Sequence, residues 1–116
     1  MEQGLAVSLE GDVTVARFRD QEIADPDVLE ALSHELYALV ETDGRRKLVL
    51  DFSDVKFLSS QMLAILITLQ KKAALIDGRT VVCGLEPGLS KVFRVTHLTE
   101  VLTFAAGRDE AIELLK

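Results

Sequence analysis

The chain has 116 residues, 48% hydrophobic and 28% charged, with 13 Lys and Arg against 19 Asp and Glu for a net charge of −6. That size suits one domain with a single core, spanning 1–116, and a pI near 4.8 gives no chain-wide electrostatic footprint for nucleic acid. Cys83 is the single cysteine, which excludes an internal disulfide and a cysteine-built metal site.

Leu5-Ala-Val-Ser-Leu9 alternates at period two, Glu10-Gly11-Asp12 punctuates, and Val13-Thr-Val-Ala-Arg-Phe18 alternates again. This predicts an antiparallel hairpin with Val13, Val15 and Phe18 among its apolar positions. Met1-Glu-Gln-Gly4, just ahead of it, lacks the basic and apolar regions of a secretory leader. Asp25-Pro26 then reads as a helix start, a capping carboxylate followed by proline at the first helical position. Val28, Leu29, Leu32, Leu36, Leu39 and Val40 keep helical spacing until Gly44 closes the segment. Lys47–Phe52 is an apolar run bounded by charge, as in a buried central strand.

The most hydrophobic helix candidate runs from Gln61 to about Ile76, apolar round most of its circumference and so packed on more than one side. Its apolar run Met62–Leu69 falls well short of the roughly 20 residues of a membrane span, so no membrane insertion is expected and a soluble cytoplasmic protein is. Asp77-Gly78 stops the helix, Arg79–Cys83 is a second buried strand, and Gly84 breaks it. A short helix over Ser90–Thr96, a short last strand over Glu100–Phe104 and an end helix over Arg108–Leu115 complete the chain. The order ββαβαβαβα implies an α/β domain with a mixed sheet, an N-terminal hairpin, parallel βαβ units and about four helices.

Enzyme constellations are largely missing. There is neither a glycine-rich dinucleotide turn nor a phosphate-binding loop of the Walker type. His34 falls on the polar face of the first helix and His97 follows the short helix as a carboxyl-end residue, and neither belongs to a metal-ligand motif. Cys83, inside an apolar strand, reads as an inert buried thiol. Asp51 and Asp54 invite comparison with a phosphoryl-accepting receiver, but a receiver needs its acidic pair after the first strand, so they read as strand-end and turn residues.

The junction Asp51-Phe-Ser-Asp-Val-Lys-Phe-Leu-Ser-Ser-Gln-Met62 carries two serines to the amino end of an apolar helix, with Phe57 and Leu58 as loop anchors. One serine is explained as a helix cap, its oxygen accepting an orphan backbone N–H. The other reading is regulatory phosphorylation. A phosphoserine adds nearly two negative charges, which a helix amino end tolerates, so the surface changes while the fold survives.

Asp51-Phe-Ser-Asp-Val-Lys-Phe-Leu-Ser-Ser60 and its apolar helix resemble the signature of STAS domains, the anti-sigma factor antagonists of bacteria. The family pattern is Asp-Leu-Ser, three residues including an aromatic, an apolar residue, then Asp-Ser-Ser/Thr-Gly-Leu. Leu85-Glu-Pro-Gly-Leu-Ser-Lys-Val-Phe-Arg-Val-Thr-His-Leu98 is similar to a later family segment, and the resemblance extends over nearly the whole chain. It implies a STAS-type single domain and a partner switch. Unmodified protein captures an anti-sigma factor serine kinase and frees a sigma factor, phosphorylated protein lets go, and a metal-dependent serine phosphatase resets it. No cofactor, bound metal or enzymatic activity is implied for this chain, and no oligomeric state.

Alignment on Phe57-Leu58 puts the phosphorylated serine at Ser60, with Ser59 as rival. Lys56, Ser59, Gln61 and Met62 would then shape the partner-binding surface. The family's Asp before the phosphoserine is Ser59 here, the following Ser/Thr is Gln61, and the Gly is Met62. Gln21-Glu-Ile-Ala24 likewise replaces the family's Gly-Glu-Leu/Ile-Asp. These departures keep open an alternative, a non-switching STAS adaptor subunit of a larger complex such as a lipid-transport ATPase, in which both serines are only cap and turn residues.

Overall fold

The computed structural model describes residues 4–116; the amino end read for a leader, Met1–Gln3, lies outside them. Strands β1 (Leu5–Glu10) and β2 (Val13–Phe18) form the expected antiparallel hairpin, with Glu10 opposite Val13. The chain reverses through Gly11, whose φ of +65° suits a residue without a Cβ. Helix α1 (Pro26–Glu41) starts where the sequence indicates: Asp25 is extended, and its side chain accepts the Asp27 N–H at 2.8 Å. Strand β4 (Lys47–Asp51), helix α2 (Ser60–Leu75), strand β6 (Arg79–Cys83) and helix α4 (Arg108–Leu115) also follow the sequence pattern.

Three features differ from expectation. Helix α3 runs over Pro87–Val95 and starts before Ser90, because proline's fixed φ suits the first helical turn. The last strand, β7, is Thr103–Ala105, since Leu98–Glu100 forms a 3₁₀ turn where the strand was expected to begin. Two further strands, β3 (Glu22–Ile23) and β5 (Phe57–Leu58), pair in parallel outside the main sheet. His97 takes a left-handed conformation (φ 63°) just past α3, the position that closes a helix carboxyl end.

The main sheet has the order β1-β2-β4-β6-β7, and only β1 and β2 are antiparallel. Its central strands are buried on both faces, as parallel strands covered by helices must be. One face carries Ala16, Phe18, Leu48, Leu50 and Val82 beneath α1, α2 and α3. The other carries Val13, Val15, Val49, Val81 and Cys83 beneath Ala111 and Leu115 of α4. Helix α2 packs on both α1 and the sheet, through buried Met62, Leu63, Leu66, Leu69 and Ala73.

A line of aromatic rings crosses the first face. Phe18 stacks on Phe52 with centroids 4.4 Å apart, Phe52 meets Phe93 edge-on at 6.5 Å, and Phe93 meets Phe104 edge-on at 5.4 Å. Phe52, fully buried, is the first residue after β4, so the loop leading to the serines starts from the centre of the core. Phe52→Ala is expected to cost about 3–5 kcal/mol of unfolding free energy in urea titration. A loss below 1 kcal/mol would mean that the ring line does not support the fold.

Candidate functional site

The segment from Phe52 to Ser59 is pinned at short intervals. Phe52 extends the β4 pairing by donating its N–H to the Cys83 carbonyl at 2.9 Å, and the Val55 N–H turns back to the Phe52 carbonyl at 3.0 Å. Val55 and Leu58 are buried beside Phe52. The N–H groups of Lys56 and Phe57 both reach the Gln21 carbonyl, at 2.8 and 3.1 Å, and the Ser59 N–H reaches the Ile23 carbonyl at 2.9 Å. Of the two residues predicted to anchor this loop, only Leu58 does so. Phe57 is 53% exposed, because the one-residue alternation of β5 turns its ring outward.

The two serines have different environments. Ser59 is the N-cap residue of α2, with extended backbone (φ −83°, ψ 165°), but its side chain makes no capping hydrogen bond. Its Oγ is sealed from solvent and without a hydrogen-bond partner. Ser60, the first helical residue, is exposed. The first turn of α2 contains no acidic residue, so the positive end of the helix dipole is not answered there by a side chain. The capping role expected for one of the pair is thus occupied by Ser59 in position and left unfilled in hydrogen bonding.

The other predicted surface residues divide. Lys56 is exposed and lies 3.5 Å from Glu86, which links the serine loop to the start of α3. Gln61 is exposed and borders a shallow groove of about 310 Å³ between α1 and α2, with Pro26, Glu30 and Ser33 on the far wall. Met62 is a correction: its side chain is completely buried in the core, since the third helical position of α2 faces inward. It fills space beneath the serines and offers no docking surface.

Charged pairs frame the loop. Arg17 pairs with Asp54, and Arg108 at the start of α4 reaches the Asp51 carboxylate at 2.9 Å. Burial acts to raise the Asp51 pKa, but the Ser53 N–H at 2.9 Å and the Arg108 guanidinium outweigh it and hold the carboxyl below its ordinary value. Asp51 is therefore a buried strand-end anchor. Gly84 (φ +74°) passes close beside it, where a Cβ would stand 2.9 Å from the Asp51 Oδ1. Burial, assisted by the Asp51 charge, pushes the Cys83 thiol up to about 12, as befits an inert sulfur. Sequence reasoning did not find Arg108, 57 residues away from Asp51, or the outward turn of Phe57. The run of aromatic and apolar residues at Phe57-Leu58 was the only local signal for the latter.

Ser59→Ala is expected to leave stability unchanged or raise it slightly, because it removes a buried oxygen that has no partner. The usual capping loss of about 1 kcal/mol in a denaturant titration would show that Ser59 does cap α2. Asp51 has a folded pKa below its unfolded 3.8, so its contribution is full above that value and is lost as pH falls through the folded pKa. The stability gap between wild type and Asp51→Asn is expected to be wide at neutral pH and to narrow below pH 3.8. A gap independent of pH would refute the assignment.

Comparison with known proteins gives this arrangement a family. The sequence model of a family described as Mlab, STAS domain, matches residues 21–103. A curated relative from Bordetella bronchiseptica, BtrV, named as an anti-sigma factor antagonist, is 30% identical over 87 residues, covering 75% of this chain and 74% of its own. A solved anti-sigma factor antagonist from Mycobacterium paratuberculosis superimposes with a TM-score of 0.84 at 27% identity, over 96% of this chain and 92% of that one. An anti-sigma-factor antagonist (STAS) domain protein from Planctomyces limnophilus shares the fold with a TM-score of 0.87 at 24% identity, over the full length of both. The chain belongs to the STAS domain family.

Proposed function

We propose that residues 1–116 form one STAS domain acting in the cytoplasm as a phosphorylation-controlled anti-sigma factor antagonist, with Ser60 as the phosphate acceptor. Family membership supplies the premise, and the contrast between the serines carries the reading: Ser60 is exposed while the Ser59 Oγ is sealed. A kinase has to bring its phosphate to the hydroxyl, which for Ser59 would require opening the loop's backbone ties. At Ser60 the hydroxyl stands at the start of a 16-residue helix whose first-turn N–H groups and dipole favour negative charge.

In this reading the unmodified face presents Lys56, Phe57, Ser60 and Gln61 to an anti-sigma factor serine kinase, and the bound kinase cannot hold its sigma factor. Phosphate transfer takes the net charge from −6 to roughly −8. The new charge falls on the docking face itself and not on the core, so the partner is released and the fold persists. A metal-dependent serine phosphatase then restores the binding form. The nucleotide belongs to the kinase; this chain is a regulator in signal transduction to transcription and catalyses nothing.

The adaptor alternative draws on Ser59, which puts a neutral residue where the family pattern carries a carboxylate. The burial of Met62 weakens the other argument for it, since that side chain lies in the core and adds no bulk to the surface.

Phosphopeptide mapping by mass spectrometry on protein from its native host, across several growth conditions, tests the reading. Condition-dependent phosphate on Ser60 is expected, together with weaker capture of the kinase by Ser60→Asp at an unchanged thermal midpoint. Phosphate on Ser59 would overturn the site. An unmodified peptide in every condition, with transporter subunits copurifying, would replace the switch by the adaptor.

A further inference from the structure

The end of the sheet opposite the serines carries a second feature, independent of the switch. The first residues of β4 and β6 open into a cavity of about 580 Å³. Its wall holds five cationic side chains, Arg45, Arg46, Lys47, Arg79 and Lys116, against three anionic ones, Asp12, Asp43 and Asp77. With Glu113, which pairs with Lys116, the count is five cations to four acids, still a cationic surplus in a chain of net charge −6.

The fold accepts a cost to gather these charges. Lys47 lies directly across from Arg79 in the β4–β6 register, a like-charged cross-strand pair. Asp12 answers Lys47 at 2.7 Å, and Lys116 is paired with Glu113 at 3.1 Å. Arg79 reaches a main-chain carbonyl, that of Leu114, at 3.5 Å. Arg45 and Arg46 are exposed, and their guanidinium groups make no hydrogen bond or ion pair among the described residues. The carboxyl ends of α1, α2 and α4 lie on this side and attract cations, yet neither of these two arginines donates to them.

Their main chain is nevertheless held firmly. Gly44 (φ +64°) turns the chain out of α1, the Arg45 N–H donates to the Leu39 carbonyl at 2.8 Å, and the Arg46 carbonyl accepts from the Arg79 N–H at 2.7 Å. Gly78 presses so closely here that a Cβ would stand 2.8 Å from the Arg46 oxygen. Two guanidinium-bearing side chains on the wall of one cavity, carried on a fixed backbone, suit an anion with several oxygens. The volume falls in the range of small-ligand sites, about 300–1,000 Å³. We propose that this cavity binds a small phosphate-bearing anion.

The test is titration of the full chain with sodium pyrophosphate at physiological ionic strength, followed by amide chemical shifts, and then with phosphatidylglycerol vesicles. Saturable shifts at Arg45, Arg46 and Arg79 are expected. The double variant Arg45→Ala/Arg46→Ala should weaken binding by about tenfold or more, while Lys91→Ala on α3 leaves it unchanged. Thermal unfolding of the double variant separates loss of the site from loss of the fold. Vesicle binding displaced by pyrophosphate would identify a lipid headgroup as the source of the phosphate, and pyrophosphate binding without vesicle binding a soluble one. The proposal is overturned by the absence of saturable shifts, by shifts centred on the start of α2, or by equal affinity in the double variant.

Discussion

Four of the five phenylalanines form one line of ring contacts from β2 to β7, and the serine loop hangs from its middle. Phe52 belongs both to that line and to the loop, so the loop cannot shift without disturbing contacts on two strands and α3. Val55 and Leu58 repeat the anchoring at intervals of three residues. The fifth ring, Phe57, stands outside the core and beside the serines. A rigid support with one large apolar side chain facing water is a suitable platform for recognition, because little order has to be imposed when a partner arrives.

Electrostatics divides the molecule along the strand direction. At the strands' carboxyl ends Asp51 is clasped by Arg108, which ties α4 on one face of the sheet to a loop serving the other. Arg17 and Asp54 close a second clasp, and Lys56 and Glu86 a looser third. The charges of these three clasps are matched pair by pair. At the opposite ends of the strands the cations outnumber the acids, and two arginines are left over. One end of the sheet thus carries its charges in pairs, and the other a small surplus of cations.

Much of this was legible in the sequence, and the reasons are local. Asp25-Pro26 carries its own cap and its own fixed φ, so α1 starts where those two residues require. The central strands announce themselves as apolar runs because both faces are covered. The pairing of β3 with β5 was hidden, since two residues are too few to show a period of two and the pair is made by main-chain bonds between segments more than thirty residues apart. The start of α3 was missed because the helix was read from Ser90, past Pro87-Gly88. Ser59 and Ser60 read as equals along the chain; only the enclosure of one oxygen, a property of the surrounding core, separates them. The same blindness placed Met62 on the surface, since residue type says little about which way the third helical position faces.

The burial of Met62 limits what can stand at this position. A side chain completely enclosed by neighbours makes those neighbours dependent on it. Restoring the glycine of the family pattern at this position would leave a void and loosen the helix, unless several core residues changed at the same time. Met62→Gly is therefore a costly single change. The exposed residues around Ser60 carry no such packing constraint, so the surface there tolerates change residue by residue while the core beneath it does not.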